Sequence, residues 1–227
     1  LNELEEKGIS FVNEKNLTAG QQDYVRKYFI DKVSAAVFTL LLTDKDRVPH
    51  LRDKSIYLAI KMMKKETPDK PEYALIEVPS DLVGRFVVLP KYGKQYVMYL
   101  EDLIRYNLEY ILFIYDFDRI EAHTVKITRD AELDLDDDVS KGFLEKMSKS
   151  VKNRRTGDPV RFVYDKEISG DILQFLMQRM DLDSYDTLIP GGRYHNKKDY
   201  IKFPDLGMHE YEFDALPPMQ HPDLDLD

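Results

Sequence analysis

The sequence predicts an α/β fold with a mixed, partly antiparallel sheet flanked by helices. First, hydrophobic residues make up 43% of the 227 positions and aromatic residues 11%, enough for a sizeable core. Second, the first half carries β-rich runs separated by short turns, which is typical of hairpins. Third, strand and helix patterns alternate in the second half, as they do when helices cover a sheet. The length fits one large domain or two small ones, and the pattern favours one domain.

The N-terminal third is predicted to begin with a short helix over residues 1–9 that leads into an extended segment at 10–12. Thr18 and Gln21 then have the spacing of a capping box, in which each side chain bonds the other residue's backbone N–H. Aromatic and aliphatic residues recur at helical spacing after this box, so we expect a helix over 19–33.

Five β-rich runs follow, at 37–42, 55–62, 73–78, 85–89 and 96–99. We expect the first of them, Val37–Leu42, to be a buried strand. An apolar stripe then predicts a helix over 100–111. Glu101 and Asp102 lie in its first turn, where the helix dipole favours acidic side chains.

The second half is predicted to hold a strand at 121–128, a helix at about 137–153, a strand at 160–164 and a helix at 170–180 capped by Ser169. Acidic residues begin the 137–153 helix and basic residues end it, which matches the helix dipole. A short helix or turn is expected at 199–203.

Composition excludes several classes of function. The net charge of −9 argues against general coating of nucleic acid, although it leaves room for a local basic site that binds a polyanion. No cysteine is present, so disulfides and thiolate catalysis are excluded, and this agrees with a cytoplasmic protein. No apolar run reaches the ~18 residues of a membrane helix.

The motifs that usually mark catalysis are missing. The sequence has no glycine-rich phosphate loop, dinucleotide fingerprint, zinc-binding helix motif or nucleophile elbow. Its five histidines lack ligand spacing, so we expect no metal site. The acidic run at 134–138 is better explained as a solvated helix start than as a cation site. Catalytic motifs alone therefore favour a binding or structural domain.

The segment from Ile189 to Asn196 is the most informative part of the chain. Pro190, Gly191 and Gly192 predict the end of any helix or strand. If the turn directs the next four side chains the same way, it suits an oxyanion such as phosphate. Those side chains are Arg193, Tyr194, His195 and Asn196, and Lys197 follows. An ordinary turn before a solvated helix start is the alternative.

Several collinear stretches resemble the head, or middle, domain of bacterial polyphosphate kinase. The resemblance extends over essentially the whole chain, apart from a proline that we would expect near Ser34–Phe38. It rests on Leu1-Asn2-Glu3-Leu4, Tyr57-Leu58-Ala59, Ile76-Glu77-Val78-Pro79-Ser80, Arg85-Phe86-Val87, Leu103-Ile104-Arg105-Tyr106, Thr128-Arg129-Asp130-Ala131-Glu132, Pro159-Val160-Arg161-Phe162-Val163-Tyr164, the 189–196 segment and Phe203-Pro204.

The resemblance implies a parent enzyme that reversibly transfers the γ-phosphoryl group of ATP to polyphosphate through a phosphohistidine outside this chain. Residues 1–206 would be the head domain and 207–227 a linker toward absent C-terminal catalytic domains. The isolated chain should then be inactive and bind no cofactor, whereas the parent would use Mg²⁺ and ATP. The implied fold is phosphohistidine-phosphatase-like, and the implied parent is cytoplasmic or membrane-peripheral.

The resemblance also implies a role beside the ATP and polyphosphate tunnel and in the interface of a homodimer. Its implied partners are the N-terminal and C-terminal domains of the same enzyme, a second subunit and polyphosphate, with no nucleic acid. The candidate tunnel contacts are Arg193, His195, Asn196, Lys197, Arg161 and Arg129. For each arginine, an ion pair with the abundant acids is the alternative, and a purely structural module without ligand contact is the alternative for the whole chain.

Overall fold

The structure is a computed structural model that describes residues 2–42, 51–67, 69–128, 161–180, 182, 187–208, 213 and 216. The helix predicted at 137–153, the acidic run before it and Arg129 lie outside the described residues. No helix within these ranges is long and apolar enough to cross a membrane.

Six α-helices and nine strands are defined in the described parts of the chain. The helices are α1 (Asn2–Glu6), α2 (Ala19–Tyr28), α3 (Ser80–Val83), α4 (Leu100–Tyr106), α5 (Leu108–Ile111) and α6 (Gly170–Met180). The strands are β1 (Ile9–Val12), β2 (Thr39–Leu42), β3 (Ile56–Met63), β4 (Glu72–Glu77), β5 (Phe86–Tyr92), β6 (Lys94–Tyr99), β7 (Arg119–Thr128), β8 (Arg161–Asp165) and β9 (Thr187–Gly191).

The strands form two mixed sheets, which confirms the mixed α/β class but divides between two sheets what the sequence predicted as one. The large sheet has the order β2-β4-β3-β7-β8-β9, with β8 and β9 parallel and the other neighbours antiparallel. The small sheet has the order β1-β6-β5, with β1 parallel to β6 and β5 antiparallel to it. Alternation of apolar residues reveals strands but not their partners, so the division was not visible in the sequence.

The core lies on both faces of the large sheet. Leu58 and Ile60 of β3 face a cluster that includes α2, α4 and the small sheet. Tyr57 and Ala59, on the opposite face of the same strand, pack in a second cluster with α6. Because β3 is buried on both faces, its sequence is a nearly continuous apolar run rather than an alternating one.

The helix predicted to begin at residue 19 is confirmed as α2, together with its capping box. The Thr18 hydroxyl accepts from the Gln21 N–H at 3.4 Å, and the Gln21 side chain accepts from the Thr18 N–H at 3.0 Å. After α2 the helix continues as a π turn over Phe29–Val33 and a 3₁₀ turn over Ser34–Ala36. The predicted end near residue 33 therefore falls within a distorted extension of the helix.

The prediction of a buried strand at 37–42 is wrong in its burial. Within the described residues β2 is an edge strand that pairs with β4 alone, and Leu41 is 39% exposed. A short apolar run has the same appearance at the edge and at the centre of a sheet, so the sequence could not distinguish the two positions.

Candidate functional site

The segment that follows β9 forms the candidate site, and we call residues 192–203 the connecting loop. The sequence predicted that Pro190 and Gly191 would interrupt a strand, but both belong to β9. Among the described strands, β9 is the last of the large sheet and pairs with β8 alone, where Tyr164 faces Pro190. Proline is tolerated there because an edge strand has one side without a ladder of hydrogen bonds.

Gly191 allows the His195 ring to fold back against β8. A Cβ atom at Gly191 would lie 2.9 Å from His195 Cε1 and 3.1 Å from Val163 Cγ1. The ring is buried, and its Nε2 lies 3.3 Å from the carbonyl oxygen of Thr124 in β7. Burial lowers the pKa of His195, so the neutral imidazole is favoured.

Asp102 holds the beginning of the connecting loop. Its carboxylate, which is 0% exposed, accepts from Arg193 Nη2 at 2.8 Å and from the Tyr194 hydroxyl at 2.7 Å. Arg105, one turn further along α4, donates to the same carboxylate at 2.7 Å. Arg193 also pairs with Glu14. Burial acts to lower the pKa of Arg193, but Asp102 and Glu14 outweigh it and raise that pKa, so the guanidinium stays charged.

Glu101 holds residues 196–199 of the connecting loop through Arg85, and we call residues 193–199 the turn of this loop. The Glu101 carboxylate is also 0% exposed, and Arg85 Nη2 donates to it at 2.6 Å. Arg85 Nη1 donates to Asp199 at 2.8 Å and to the carbonyl oxygen of Asn196 at 3.0 Å. Two consecutive carboxylates of α4 therefore hold both ends of residues 193–199.

The side chains of Arg193, Tyr194, His195 and Asn196 do not point in one direction, as an oxyanion cradle would require. Arg193 and Tyr194 reach Asp102, whereas His195 turns toward β7. The Asn196 side chain accepts from Lys126 of β7, and its backbone has φ of 64°. The oxyanion cradle predicted from the sequence is therefore not formed by these four side chains.

Lys197 and Lys198 are exposed where the connecting loop enters a 3₁₀ turn over Lys197–Lys202. The ion pairs found among the described residues do not include either lysine. Their ammonium groups face solvent on a segment whose backbone is anchored by buried ion pairs. This combination suits contact with an anion better than Arg193 does, because the guanidinium of Arg193 is already paired with Asp102 and Glu14.

Aromatic side chains attach the connecting loop to the small sheet. Tyr194 stacks on Tyr99 of β6 with ring centroids 4.1 Å apart, and the Tyr99 and Tyr200 hydroxyls are hydrogen-bonded. Phe203 packs against Phe86 of β5 at 5.1 Å. Since β9 belongs to the large sheet, the loop joins the two sheets.

A cavity of about 420 Å³ lies beside the middle of the loop. Its lining includes Asn196, Lys198 and Asp199 of the loop, together with Arg52 and Lys54. Among the described residues other than glycine, only Lys54 and Asn196 have positive φ. Both positive-φ residues thus line the same cavity.

Of the two remaining predicted site residues, Arg129 lies outside the described residues and Arg161 is not brought to the loop. Arg161 begins β8, and the parallel pairing of β8 with β9 places it beside Thr187 rather than Gly191. Four residues of strand correspond to about 13 Å, so Arg161 lies at the far end of β9 from the loop. A contact role for Arg161 or Arg129 stays a prediction.

Sequence reasoning missed Arg85, Lys126 and Lys198 as members of this site, and it assigned Glu101 and Asp102 only to the helix dipole. Arg85 lies 114 positions from Asp199 and 111 from Asn196, so no local spacing connects them. The one local signal was the adjacency of Lys197 and Lys198.

The fold and the loop define an α/β domain in which buried ion pairs hold a lysine-bearing segment. Comparisons with known proteins assign this domain to a family. The family model described as polyphosphate kinase middle domain matches residues 20–203. The chain is 38% identical to a polyphosphate kinase of Vibrio parahaemolyticus over 99% of its own length, and 36% identical to one of Escherichia coli over 96%.

A solved structure gives the same assignment. The crystal structure of polyphosphate kinase from Porphyromonas gingivalis superposes on 97% of this chain with a TM-score of 0.75 and 27% identity, using 31% of its own chain. The chain therefore belongs to the polyphosphate kinase family and corresponds to its middle domain. It spans about a third of the length of its curated relatives, 33% of the Vibrio parahaemolyticus protein. The predicted likeness to a phosphohistidine phosphatase stays a prediction.

Proposed function

We propose that this chain is the middle domain of an enzyme that reversibly transfers the γ-phosphoryl group of ATP to polyphosphate. The family match over residues 20–203 supports this proposal. The phosphohistidine and the sites for ATP and Mg²⁺ would lie in other domains of the enzyme, so the isolated chain is expected to be inactive. Residues 1–206 would form the domain and 207–227 a linker, in a cytoplasmic enzyme.

Within that enzyme, the connecting loop contacts polyphosphate beside the tunnel. The observation that carries this proposal is the exposure of Lys197 and Lys198 on an anchored turn, without carboxylate partners among the described ion pairs. Phosphoryl transfer depends largely on positioning and charge neutralisation, so a domain without a nucleophile still contributes to it. Arg193, His195 and Asn196 then support the turn, while Lys197 and Lys198 make the contact.

The test is the affinity of the full-length enzyme for polyphosphate after Lys197→Ala together with Lys198→Ala. Exposed ionic contacts each contribute about 0.2–1 kcal/mol, so we expect Kd to rise about 2- to 30-fold. Lys65→Ala with Lys70→Ala is the control, in which Lys65 has only an exposed ion pair with Asp118 at 3.7 Å. It removes two exposed lysines beyond the far end of β3, about 25 Å along the strand from Ile56. If the two double variants bind polyphosphate with equal affinity, the proposal is contradicted.

The same domain contributes to the interface of a homodimer. Phe113 is 76% exposed and Ile114 is 68% exposed, and Tyr110, half exposed nearby in sequence, contacts Phe29. Exposed apolar side chains in succession are typical of interaction surfaces. Sedimentation of a full-length Phe113→Asp variant tests this role, and an unchanged dimer fraction would contradict it.

A purely structural module is the second candidate. The observation in its favour is that the donors of Arg193 and Arg85 are already bound to carboxylates of this chain. The lysine experiment separates the two candidates, since a structural module predicts no change in polyphosphate affinity.

A further inference from the structure

We propose that Asp102 and Glu101 are positioning residues that act on polyphosphate through the connecting loop. The inference rests on the proposed function, because it assigns to these carboxylates the task of presenting Lys197 and Lys198. Neither carboxylate touches the ligand. Each fixes one end of the turn that carries the two lysines.

Asp102 fixes the start of the turn by accepting hydrogen bonds from it. Its oxygens accept from three side chains at 2.7–2.8 Å, two of which, Arg193 and Tyr194, belong to the loop. The third, Arg105, lies on α4 and compensates the charge of Asp102 from the helix side. A fully buried carboxylate with several charge-assisted bonds has one favoured arrangement, so it fixes the start of the turn.

Glu101 fixes the end of the turn through Arg85. Arg85 is itself buried and connects the Glu101 carboxylate with Asp199 and with the backbone of Asn196. Asn196 has a left-handed backbone, which asparagine adopts more readily than most other residues, and the Arg85 contact holds its carbonyl group in that conformation. Lys197 follows Asn196 directly, so the direction in which the lysines leave the loop depends on this contact.

The charges of the assembly are balanced. The bases are Arg85, Arg105, Lys126 and Arg193, and the acids are Glu14, Glu101, Asp102 and Asp199. Because the two sets cancel, the cluster itself offers an incoming polyanion no net charge. The exposed positive charges of the connecting loop are therefore Lys197, Lys198 and Lys202, and the first two directly follow the anchored residue Asn196.

Buried ion pairs are costly to form from solvated side chains, and apolar packing often gives equal stability. A cluster of this size at one loop is therefore better explained by the need for a unique loop conformation than by stability. This explanation separates positioning residues from residues that only support the fold.

The experiment uses the full-length enzyme and three changes. Tyr194→Phe removes one hydrogen bond to Asp102 and keeps the ring stacked on Tyr99, so it preserves the fold. Asp102→Asn is the stronger change. Asn107→Ala is the control, since it removes a buried hydrogen bond to the Leu103 carbonyl oxygen on the same helix without touching the loop.

We expect amide hydrogen exchange of residues 193–199 to become about 2- to 10-fold faster in Tyr194→Phe, because one hydrogen bond is lost. We expect Kd for polyphosphate to rise by a similar factor, while Asn107→Ala changes neither quantity. If Asp102→Asn fails to fold, the effects of Tyr194→Phe on hydrogen exchange and Kd alone test the positioning role.

A double-mutant cycle distinguishes positioning from plain stabilisation. If Tyr194 acts through the lysines, its effect on Kd shrinks once Lys197 and Lys198 are alanine. If the lysine variant weakens binding and Tyr194→Phe leaves Kd unchanged, or if the two effects simply add, the positioning role is overturned and the proposed function stands. If the lysine variant has no effect on Kd, the proposed function itself fails.

Discussion

Single residues determine how closely the connecting loop packs on the large sheet, and Gly191 and His195 are the clearest pair. The sequence marked Gly191 as a turn residue because of its backbone freedom. Its main role in the structure is different, since the absence of a side chain leaves room for the His195 ring. A close approach between residues of this kind depends on the path of the chain, which glycine spacing does not reveal.

Replacing Gly191 with alanine should therefore destabilise the domain. The new methyl group would overlap His195 Cε1 at 2.9 Å and Val163 Cγ1 at 3.1 Å, both below normal contact. We expect the free energy of unfolding to fall by about 1–3 kcal/mol in denaturant titrations. Gly192→Ala is the control, since its Cβ meets nothing within 4 Å. Equal stability of the two variants would show that the loop does not pack as described.

The buried His195 and the partly buried His123 make stability depend on pH. Burial is the main cause that lowers the pKa of His123 and His195 below the unfolded value of 6.5. The unfolded chain thus binds more protons just below pH 6.5, and stability falls as pH decreases from 6.5 toward the folded pKa values. Asp171, with a pKa of about 2, stays charged in this window. We expect His195→Gln to flatten the decline between pH 7 and 5, and an unchanged slope would contradict it.

Secondary-structure elements could be predicted when their signals are local. The capping box of α2 and the full range of α6, Gly170–Met180, follow from spacing along one segment of chain. The environment of α4 does not follow from local spacing. Its first-turn acids were correctly placed on a helix, but their partners Arg85 and Arg193 are 16 and 91 positions away. The buried ion cluster is a property of tertiary packing, which no local pattern encodes.

Thr18→Ala tests the local part of this account. The substitution leaves the Gln21 N–H at the start of α2 without its side-chain acceptor. Loss of such a cap costs about 1 kcal/mol of unfolding free energy, measured by denaturant titration. Thr18→Ser keeps the hydroxyl and should restore most of the loss. A Thr18→Ala protein as stable as the parent would mean that the box does not stabilise α2.

At the scale of the whole molecule, the connecting loop joins two sheets that the sequence had suggested were one. Its β9 end belongs to the large sheet, and Tyr194, Tyr200 and Phe203 pack on the small sheet. Order in the loop therefore depends on both halves of the domain. The mixed α/β class followed from alternating strand and helix patterns, whereas the joining role of the loop required the long-range contacts.

The net charge of −9 sets a condition on any polyanion contact, because a negative field repels polyphosphate over a distance. Salt screens this field beyond a Debye length of about 8 Å, so Lys197 and Lys198 act on the polyanion at shorter distances. Binding is therefore expected to depend on a few ionic contacts at the loop and to weaken with ionic strength.

The dependence of polyphosphate affinity on salt tests this central claim most directly. Each ionic contact to a flexible polyanion adds about 0.7 to the slope of log affinity against log salt concentration. The full-length enzyme with Lys197→Ala and Lys198→Ala should therefore show a slope about 1.4 smaller than the parent, while Lys65→Ala with Lys70→Ala keeps the parent slope. A lysine variant whose slope equals that of the parent would contradict a polyphosphate contact at the connecting loop.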